Sequence, residues 1–184
     1  MRFTETDIAG VVVIDLDPFV DDRGSFARIW CEEELRAHGL TAHLSQCSLS
    51  RNAKAGTLRG LHLQHAPHAE AKLVRCISGA IYDVALDLRQ DSPTFGQWHA
   101  VELSAENDSA LYIAEGCAHG FQTLVDGTEV LYLISSPYAP GAADGVRWDD
   151  PAFGIVWPLA EPTISERDRR WRNYGDRLDR SPSS

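Results

Sequence analysis

Alternation of side chains with a period of two is the feature that most constrains how this chain can fold. It is clearest between Ala80 and Leu88. Along this segment the side chains divide into two sets, Tyr82, Val84, Leu86 and Leu88 against Ile81, Asp83, Ala85 and Asp87. Because residues two apart share one face of an extended chain, the pattern predicts a strand with two distinct faces.

Further short segments are consistent with strands, and turn sequences such as DDRG, NAKAG, DSPTFG and AEND separate them. The predicted strands are Val11 to Leu16, Phe26 to Trp30, His43 to Ser50, Leu58 to Gln64, Lys72 to Ile77, Trp98 to Leu103, Ala110 to Ile113, Gly120 to Val125 and Val130 to Ile134. Many short strands with close turns favour an all-β fold, an antiparallel sandwich or barrel of the jelly-roll type.

Helical signal is weak, and it is limited to a turn or two in Cys31 to His38 and near Ser165 to Trp171, where Ser165 is a candidate cap. The loop from Ser136 to Val146 is interpreted as a crossing segment. The length of 184 residues fits one domain, 1–184, with a peripheral tail after about residue 172.

Composition and charge exclude several classes of function. No apolar run approaches the roughly 20 residues that span a bilayer, and the first residues lack the pattern of a secretory signal, so we expect a cytoplasmic protein without a membrane partner. A formal net charge of −10 argues against nucleic acid as a partner, because a phosphate backbone is held by clustered Lys and Arg.

The segment TLRGLHLQ, from Thr57 to Gln64, places an arginine and a histidine in one strand. Alternation puts Gly60, His62 and Gln64 on one face, which can point into the mouth of a barrel opposite Val130, Tyr132 and Ile134. Arg59 falls on the other face unless a bulge at Gly60 re-aims it.

The motifs RGLHLQ, KLVR, PTFGQW, IAEGCAHGF, EVLY, GVRWDDPAFGIVWP and ISERD, in this order from about Val13 to Asp168, resemble the dTDP-4-dehydrorhamnose 3,5-epimerases. The resemblance implies a cupin-type jelly roll that needs no metal and no cofactor. It implies a homodimer that exchanges N-terminal strands, and a nucleotide-diphosphate sugar as substrate. The reaction would invert carbon 3 and carbon 5 of dTDP-4-dehydro-6-deoxy-D-glucose, giving dTDP-4-dehydro-L-rhamnose.

The resemblance also implies roles for five residues. His62 resembles the base that removes hydrogen beside the ketone, and Asp168 resembles the carboxylate that orients its imidazole. Lys72 matches the cation beside the developing oxyanion. Tyr132 matches the acid that returns a proton to the opposite face, and His119 matches a residue that lines the sugar pocket.

For the nucleotide, Arg23 and Arg59 match the family's pyrophosphate contacts, which suit guanidinium groups. The positions around the base or sugar are Phe19, Phe26, Gln46, Ser48 and Tyr138, of which Tyr138 is the candidate for stacking on a pyrimidine. In the family's dimer, Arg23 and Phe26 would come from the neighbouring subunit.

The chain departs from the family at several positions. Arg28 stands where many relatives carry a Glu that contacts the base, and an arginine cannot accept hydrogen bonds. The nucleobase, thymine or cytosine, therefore stays open. Arg167 replaces a common Lys, and Ala142 and Ala143 replace a usual Glu in a loop.

Three alternatives remain at the level of sequence. The first is an epimerase that inverts only carbon 3 or carbon 5 of a dTDP- or CDP-linked sugar. The second is a metal-dependent cupin oxygenase or isomerase that uses His62, Gln64, Glu70 and His119; Lys72 nearby would repel a cation. The third is an inactive nucleotide-sugar binding module, which would not need an acid and a base on opposing faces.

Overall fold

The computed structural model describes residues 1–178, which form an almost entirely β structure with short helices. In chain order the elements are β1 (Arg2–Glu5), β2 (Val11–Asp15), β3 (Phe19–Asp21), β4 (Gly24–Phe26), α1 (Glu32–Ala37), β5 (Gln46–Asn52), β6 (Thr57–Gln64), β7 (Lys72–Ser78), β8 (Ala80–Asp87), β9 (Trp98–Ser104), β10 (Ser109–Ile113), β11 (Cys117–Thr123), β12 (Thr128–Ile134), β13 (Ala143–Gly145), β14 (Thr163–Ile164), α2 (Glu166–Arg169) and α3 (Gly175–Leu178).

The main strands form two sheets, which confirms the expected all-β jelly roll of the cupin type. One sheet has the order β1, β2, β10, β7, β12, β5, and the other has the order β13, β6, β11, β8, β9. The pairings within both sheets are antiparallel, except that β14 runs parallel to β6. The hairpin of β3 and β4 stands apart from both sheets as a two-stranded ribbon.

The inner faces of the two sheets enclose the main apolar core. Val74 and Val130 of the first sheet pack in one cluster with Ile81 and Phe121 of the second, and all four side chains are fully buried. Because apolar residues alternate along each strand, this core uses one face of every central strand. Burial of this kind is the main source of stability in a sandwich.

Other segments cover the outer faces. Leu35 of α1 packs on Leu73 and Tyr112 of the first sheet. Trp148 and Trp157, which follow β13, pack on the outer face of the second sheet. One region of the first sheet's outer face stays open, since Leu49 and Ile77 are exposed.

A bulge in β6 brings the side chain of Arg59 to the same face as His62, which strict alternation along the strand would not allow. His62 pairs with His119 and Arg59 pairs with Phe121, so β6 advances three residues while β11 advances two. Gly60 occupies the bulge with φ of +130°, and a Cβ there would lie 2.5 Å from the Cα of Gly120. Only glycine fits this close approach of two backbones.

Several predicted boundaries were wrong. The strand predicted over Phe26 to Trp30 is β4, Gly24–Phe26. It ends there because, among residues 1–178, β4 pairs with β3 alone and residues 27–30 have no neighbouring strand. The strand predicted from His43 begins only at Gln46. The loop from Ser136 to Val146 contains β13, which pairs with β6, and β1, β3 and β14 were not predicted.

The helix predictions were correct for α1 and α2, whereas α3 was not predicted. Both predicted helices are present as α1 and α2, and the Oγ of Ser165 accepts a hydrogen bond from the N–H of Asp168, as a cap does. No helix among residues 1–178 is long and apolar enough to cross a membrane. The predicted peripheral tail ends in residues 179–184, which lie outside the described residues.

Candidate active site

A cavity of about 580 Å³ opens between the two sheets and collects most of the predicted site residues. The strands that line it are β5, β6, β7, β11 and β12, together with the segment around α2. The predicted members of its lining are Gln46, Ser48, Arg59, His62, Lys72, His119, Tyr132, Tyr138 and Asp168. The expectation that His62 and Tyr132 face one shared space is therefore met.

His62 and Asp168 form a close pair although they lie 106 residues apart. The Nε2 of His62 is 2.7 Å from the Oδ1 of Asp168. Asp168 reaches this point because β14 pairs with the start of β6 and leads directly into α2, whose cap is Ser165. The parallel pairing of a two-residue strand thus brings the last part of the chain to the catalytic strand.

The environment of Asp168 keeps its carboxylate charged. Burial alone would raise the pKa of Asp168, but the hydrogen bond with His62, the charge of that imidazole and the backbone N–H of Gly60 together hold the pKa below its ordinary value. A charged carboxylate accepts a proton-bearing Nε2. This leaves Nδ1 as the nitrogen of His62 that can take a proton from a ligand.

Tyr132 lines the cavity from β12, on the first sheet. Burial and the nearby charge of Asp83 raise the pKa of Tyr132, with a smaller opposing effect from Arg59. The described part of the chain gives its hydroxyl no hydrogen-bond partner, and the side chain borders the cavity. The phenol therefore stays protonated at neutral pH.

His119 supports Tyr132 and carries its own carboxylate partner. The Nε2 of His119 lies 2.7 Å from the Oδ1 of Asp83, and both side chains are buried. The ring of His119 meets the ring of Tyr132 edge-on, with 5.7 Å between centroids. The other oxygen of Asp83 is buried without a hydrogen-bond partner in the described part of the chain.

Arg59, Gln46 and Tyr138 lie toward the outer part of the cavity. The Nε of Arg59 donates to the Oδ1 of Asn52 at 2.9 Å, which holds the guanidinium at the rim. The backbone N–H of Tyr138 donates to the Oε1 of Gln46 at 2.7 Å, and the phenol ring of Tyr138 is exposed. The exposed ring of Tyr138 suits stacking on a base, and the guanidinium group of Arg59 suits a pyrophosphate.

Three predicted site residues do not reach the cavity within one chain. Arg23, Phe19 and Phe26 belong to the hairpin of β3 and β4, where Phe19 is 68% and Phe26 is 78% exposed. Arg23 forms an exposed ion pair with Asp21. Arg28, the departure from the family, pairs with Glu34 at 3.0 Å and also lies outside the cavity.

Sequence reasoning assigned no part in the epimerase site to four charged residues of the lining. Arg51, Asp144, Arg167 and Glu70 border the cavity, and of these only Glu70 was given a role, as a metal ligand in the metal-dependent alternative. Two of them could have been found from position, because Arg167 precedes Asp168 and Glu70 lies two residues before Lys72, on the same side of an extended chain. Arg51 gives no such signal, since its reach to the cavity depends on the edge position of β5.

The four residues of the metal-dependent alternative are occupied by other partners. His62 and His119 each direct Nε2 at an aspartate, and Glu70 pairs with Lys72 at 3.0 Å. The amide of Gln64 is bound to Glu70 and to main-chain oxygens. Within residues 1–178, no three His, Cys, Asp or Glu side chains are grouped as metal ligands.

Comparison with known proteins identifies close relatives. A family model described as dTDP-4-dehydrorhamnose 3,5-epimerase matches residues 5–176. A dTDP-4-dehydrorhamnose 3,5-epimerase of Sinorhizobium fredii is 43% identical over 169 residues, covering 91% of this chain and 87% of the relative.

Two solved structures are especially informative. The epimerase of Bacillus anthracis, crystallised with TDP and pyrophosphate, has a TM-score of 0.90 and 41% identity over 93% of this chain and 98% of that one. ChmJ from Streptomyces bikiniensis, described as a 3′-monoepimerase and bound to dTDP-quinovose, has a TM-score of 0.87 and 34% identity over 95% and 89% of the two chains.

The ion-pairing of Asp168 predicts how stability depends on pH. A carboxyl whose pKa is lowered by folding stabilises the protein above its ordinary value of 3.8, and this contribution is lost as pH falls through the lowered value. We expect Asp168→Asn to be less stable than wild type at pH 7, and the difference to shrink below about pH 3.8.

Denaturant unfolding between pH 2 and pH 7 measures the difference. Asp91→Asn, which changes an exposed carboxylate, is the control and should track wild type throughout. A gap between Asp168→Asn and wild type that stays constant down to pH 2 would contradict the linkage.

Proposed function

The chain belongs to the dTDP-4-dehydrorhamnose 3,5-epimerase family, and we propose that it inverts carbon 3 and carbon 5 of dTDP-4-dehydro-6-deoxy-D-glucose. The product is dTDP-4-dehydro-L-rhamnose. The observation that carries the proposal is the single cavity lined by both His62 and Tyr132, with Lys72 on a strand beside them. Such a cavity offers a base, an acid and a cation to one bound sugar.

The first step is removal of a proton from a carbon next to the ketone. His62 takes this proton on Nδ1, while Asp168 keeps Nε2–H in place and stabilises the imidazolium that forms. The C–H bond breaks, and its electron pair moves into the enolate, with negative charge on the ketone oxygen. Because the carboxylate is already charged, no second proton transfer is needed to support the base.

Lys72 stabilises the enolate oxygen. Its Nζ lies 3.0 Å from Glu70 and 3.2 Å from the carbonyl oxygen of His62, so one of its three N–H groups remains for the ketone oxygen. The side chain is only 9% exposed, and an ammonium in a site that excludes water interacts strongly with a developing oxyanion.

The second step returns a proton to the opposite face of the same carbon, and Tyr132 donates it. The raised pKa of Tyr132 keeps the phenol neutral until carbanion character develops at that carbon. It also makes the phenolate left behind a strong base that recovers a proton from solvent. The imidazolium of His62 releases the proton that it took to solvent, so both groups return to their starting states. Inversion results because the proton leaves toward His62 and arrives from Tyr132.

One set of groups can serve both carbons. Carbon 3 and carbon 5 both adjoin the ketone at carbon 4, so Lys72 stabilises the same oxygen in both enolates. The sugar ring then presents each carbon to His62 in turn. The relative ChmJ is described as a 3′-monoepimerase, so inversion at a single carbon is the alternative, which the position of an isotope label decides.

The nucleotide end of the substrate is placed at the rim, where Arg59 binds the pyrophosphate and Tyr138 stacks on the base. Gln46 and Ser48 of β5 supply polar contacts beside them. The relative bound to TDP supports thymidine as the nucleoside. A CDP-linked sugar is the alternative, because Arg28 stands where many relatives carry a Glu that contacts the base. In this chain Arg28 pairs with Glu34 and lies outside the cavity.

We propose a homodimer in which the hairpin of β3 and β4 reaches the cavity of a second copy. A two-stranded hairpin alone is marginally stable in water, and this one exposes Phe19, Val20 and Phe26. A partner that buries these side chains would also receive Arg23 as a further pyrophosphate ligand. The open outer face near Leu49 and Ile77 offers additional apolar area.

Isotope exchange tests the roles of base and acid. In deuterated water, we expect His62→Ala to abolish deuterium uptake at carbon 3 and carbon 5, since a positioned base contributes about 10² to 10⁴ in rate. Tyr132→Phe should still exchange protons but form little inverted product, because the base works and the acid is missing. Proton NMR of dTDP-4-dehydro-6-deoxy-D-glucose measures both quantities.

The control is dTDP affinity, which both variants should keep. Rapid exchange in a folded His62→Ala protein would refute the assignment of the base. A label at only one carbon with wild type would replace the proposed reaction by a single-centre epimerisation, and faster turnover of the CDP-linked sugar would change the nucleoside.

Mixing two inactive or weakened variants tests the exchanged hairpin. Arg23→Ala should raise KM strongly, and His62→Ala should be inactive. If Arg23 serves the partner's cavity, unfolding and refolding the two variants together creates heterodimers with one complete site. That site combines His62 of the Arg23→Ala chain with Arg23 of the His62→Ala chain. We expect about a quarter of wild-type kcat/KM from random pairing of the two chains.

Refolding each variant alone is the matched control and should give no recovery. Activity of the mixture no greater than the average of the two separate proteins would show that Arg23 serves its own chain or no site at all.

A further inference from the structure

Lys72 is held by a buried carboxylate that the proposed chemistry does not itself require. Its Nζ lies 3.0 Å from the Oε1 of Glu70, and the two side chains are 9% and 10% exposed. The same Nζ donates to the carbonyl oxygen of His62 at 3.2 Å. Two of the three ammonium donors are therefore fixed by the protein, and both partners lie beside the catalytic strand.

This arrangement restricts a side chain that is otherwise mobile. Lysine is a point charge on a flexible four-carbon stem, and holding it in one position costs rotamer entropy. With Glu70 and the carbonyl oxygen of His62 as anchors, this cost is met before a sugar binds. The remaining N–H then has a defined direction into the cavity.

Glu70 is itself clamped by a neighbouring amide. The Nε2 of Gln64 donates to the Oε2 of Glu70 at 3.0 Å and also to the carbonyl oxygens of His68 and Pro137. The Oε1 of Gln64 accepts from the N–H of Ala139 at 2.6 Å. The buried amide of Gln64 thus fixes the carboxylate and ties it to the segment that carries Tyr138.

Stability alone is a poor reason for such a pair. Removing two charges from water carries a large desolvation penalty, and a protein with apolar residues of similar volume in their place is often as stable or more so. A buried ion pair is therefore weak evidence for a structural role. Glu70 and Lys72 are placed instead at the wall of the cavity, where the direction of the ammonium matters to a ligand.

We propose that Glu70 is a positioning residue, which fixes the ammonium of Lys72 against the ketone oxygen of the substrate and is itself held by Gln64. Glu70 does not touch the reacting atoms and acts only through Lys72. This rests on the proposed function, in which Lys72 stabilises the enolate. It adds a residue whose charge, and not only its shape, sets the rate.

The test is a double-mutant cycle with Glu70→Gln and Lys72→Met. Glu70→Gln keeps the shape of the side chain and removes its charge. In the presence of Lys72, we expect this substitution to lower kcat about 10- to 100-fold, because displacing a catalytic group by about 1 Å can lower the rate by this factor. KM should change less than about threefold, since the interaction is realised in the transition state.

In the Lys72→Met background, Glu70→Gln should change kcat by less than about threefold, because the group through which it acts is absent. A structural role would give the same loss in both backgrounds, and that result would overturn the proposal. So would a Glu70→Gln enzyme as fast as wild type. Asp126→Asn, which removes the carboxylate of a surface ion pair with Lys54, is the control for lost charge and should leave kcat unchanged.

Glu70→Asp provides a second variant if Glu70→Gln is poorly folded. This variant keeps the charge but withdraws it by one methylene group. Its kcat should therefore lie between those of wild type and Glu70→Gln. A Glu70→Asp enzyme as slow as Lys72→Met would contradict positioning by charge. The cycle also separates this proposal from the proposed function: if Lys72→Met keeps wild-type isotope exchange, the role of Lys72 fails, whereas additive losses remove only the role of Glu70.

Discussion

The hydrogen bond between His62 and Asp168 is the interaction on which the site depends. It joins β6 of the second sheet to a short helix near the end of the chain. The bond forms because β14 pairs with the first residues of β6 and because Ser165 caps α2. It occupies Nε2 of His62 and leaves Nδ1 as the nitrogen that can accept a proton, so a distant segment decides how His62 acts as a base.

Carboxylate pairing recurs at three basic side chains that line the cavity. His62 has Asp168, Lys72 has Glu70, and His119, which supports the ring of Tyr132, has Asp83. Each carboxylate is buried or nearly so and holds its partner in one orientation. The cavity therefore resists reorganisation when charge moves from carbon to oxygen and back, which is the property that lowers the barrier in preorganised sites.

Local patterns predicted the strands that have two distinct faces, and motif resemblance predicted the contents of the cavity. Alternation of side chains predicted β6 and β8, and it also placed Arg59 on the face opposite His62. The bulge at Gly60 resolves this conflict. The ion pair of Glu70 with Lys72 was not predicted, because its geometry depends on the wall of the cavity and not on spacing alone. The strand expected after Phe26 failed, since its stability required a neighbouring strand that the fold does not supply. The positions of Arg23 and Phe26 at a partner's site stay a prediction.

A crystal structure with a dTDP-linked hexose that lacks the ketone tests the central claim most directly, because such a sugar binds without reacting. We expect the ring to lie between the Nδ1 of His62 and the hydroxyl of Tyr132. Each atom should come within about 3.5 Å of the same ring carbon, on opposite faces. A sugar with both groups on one face, or one bound outside the cavity, would contradict inversion by this pair.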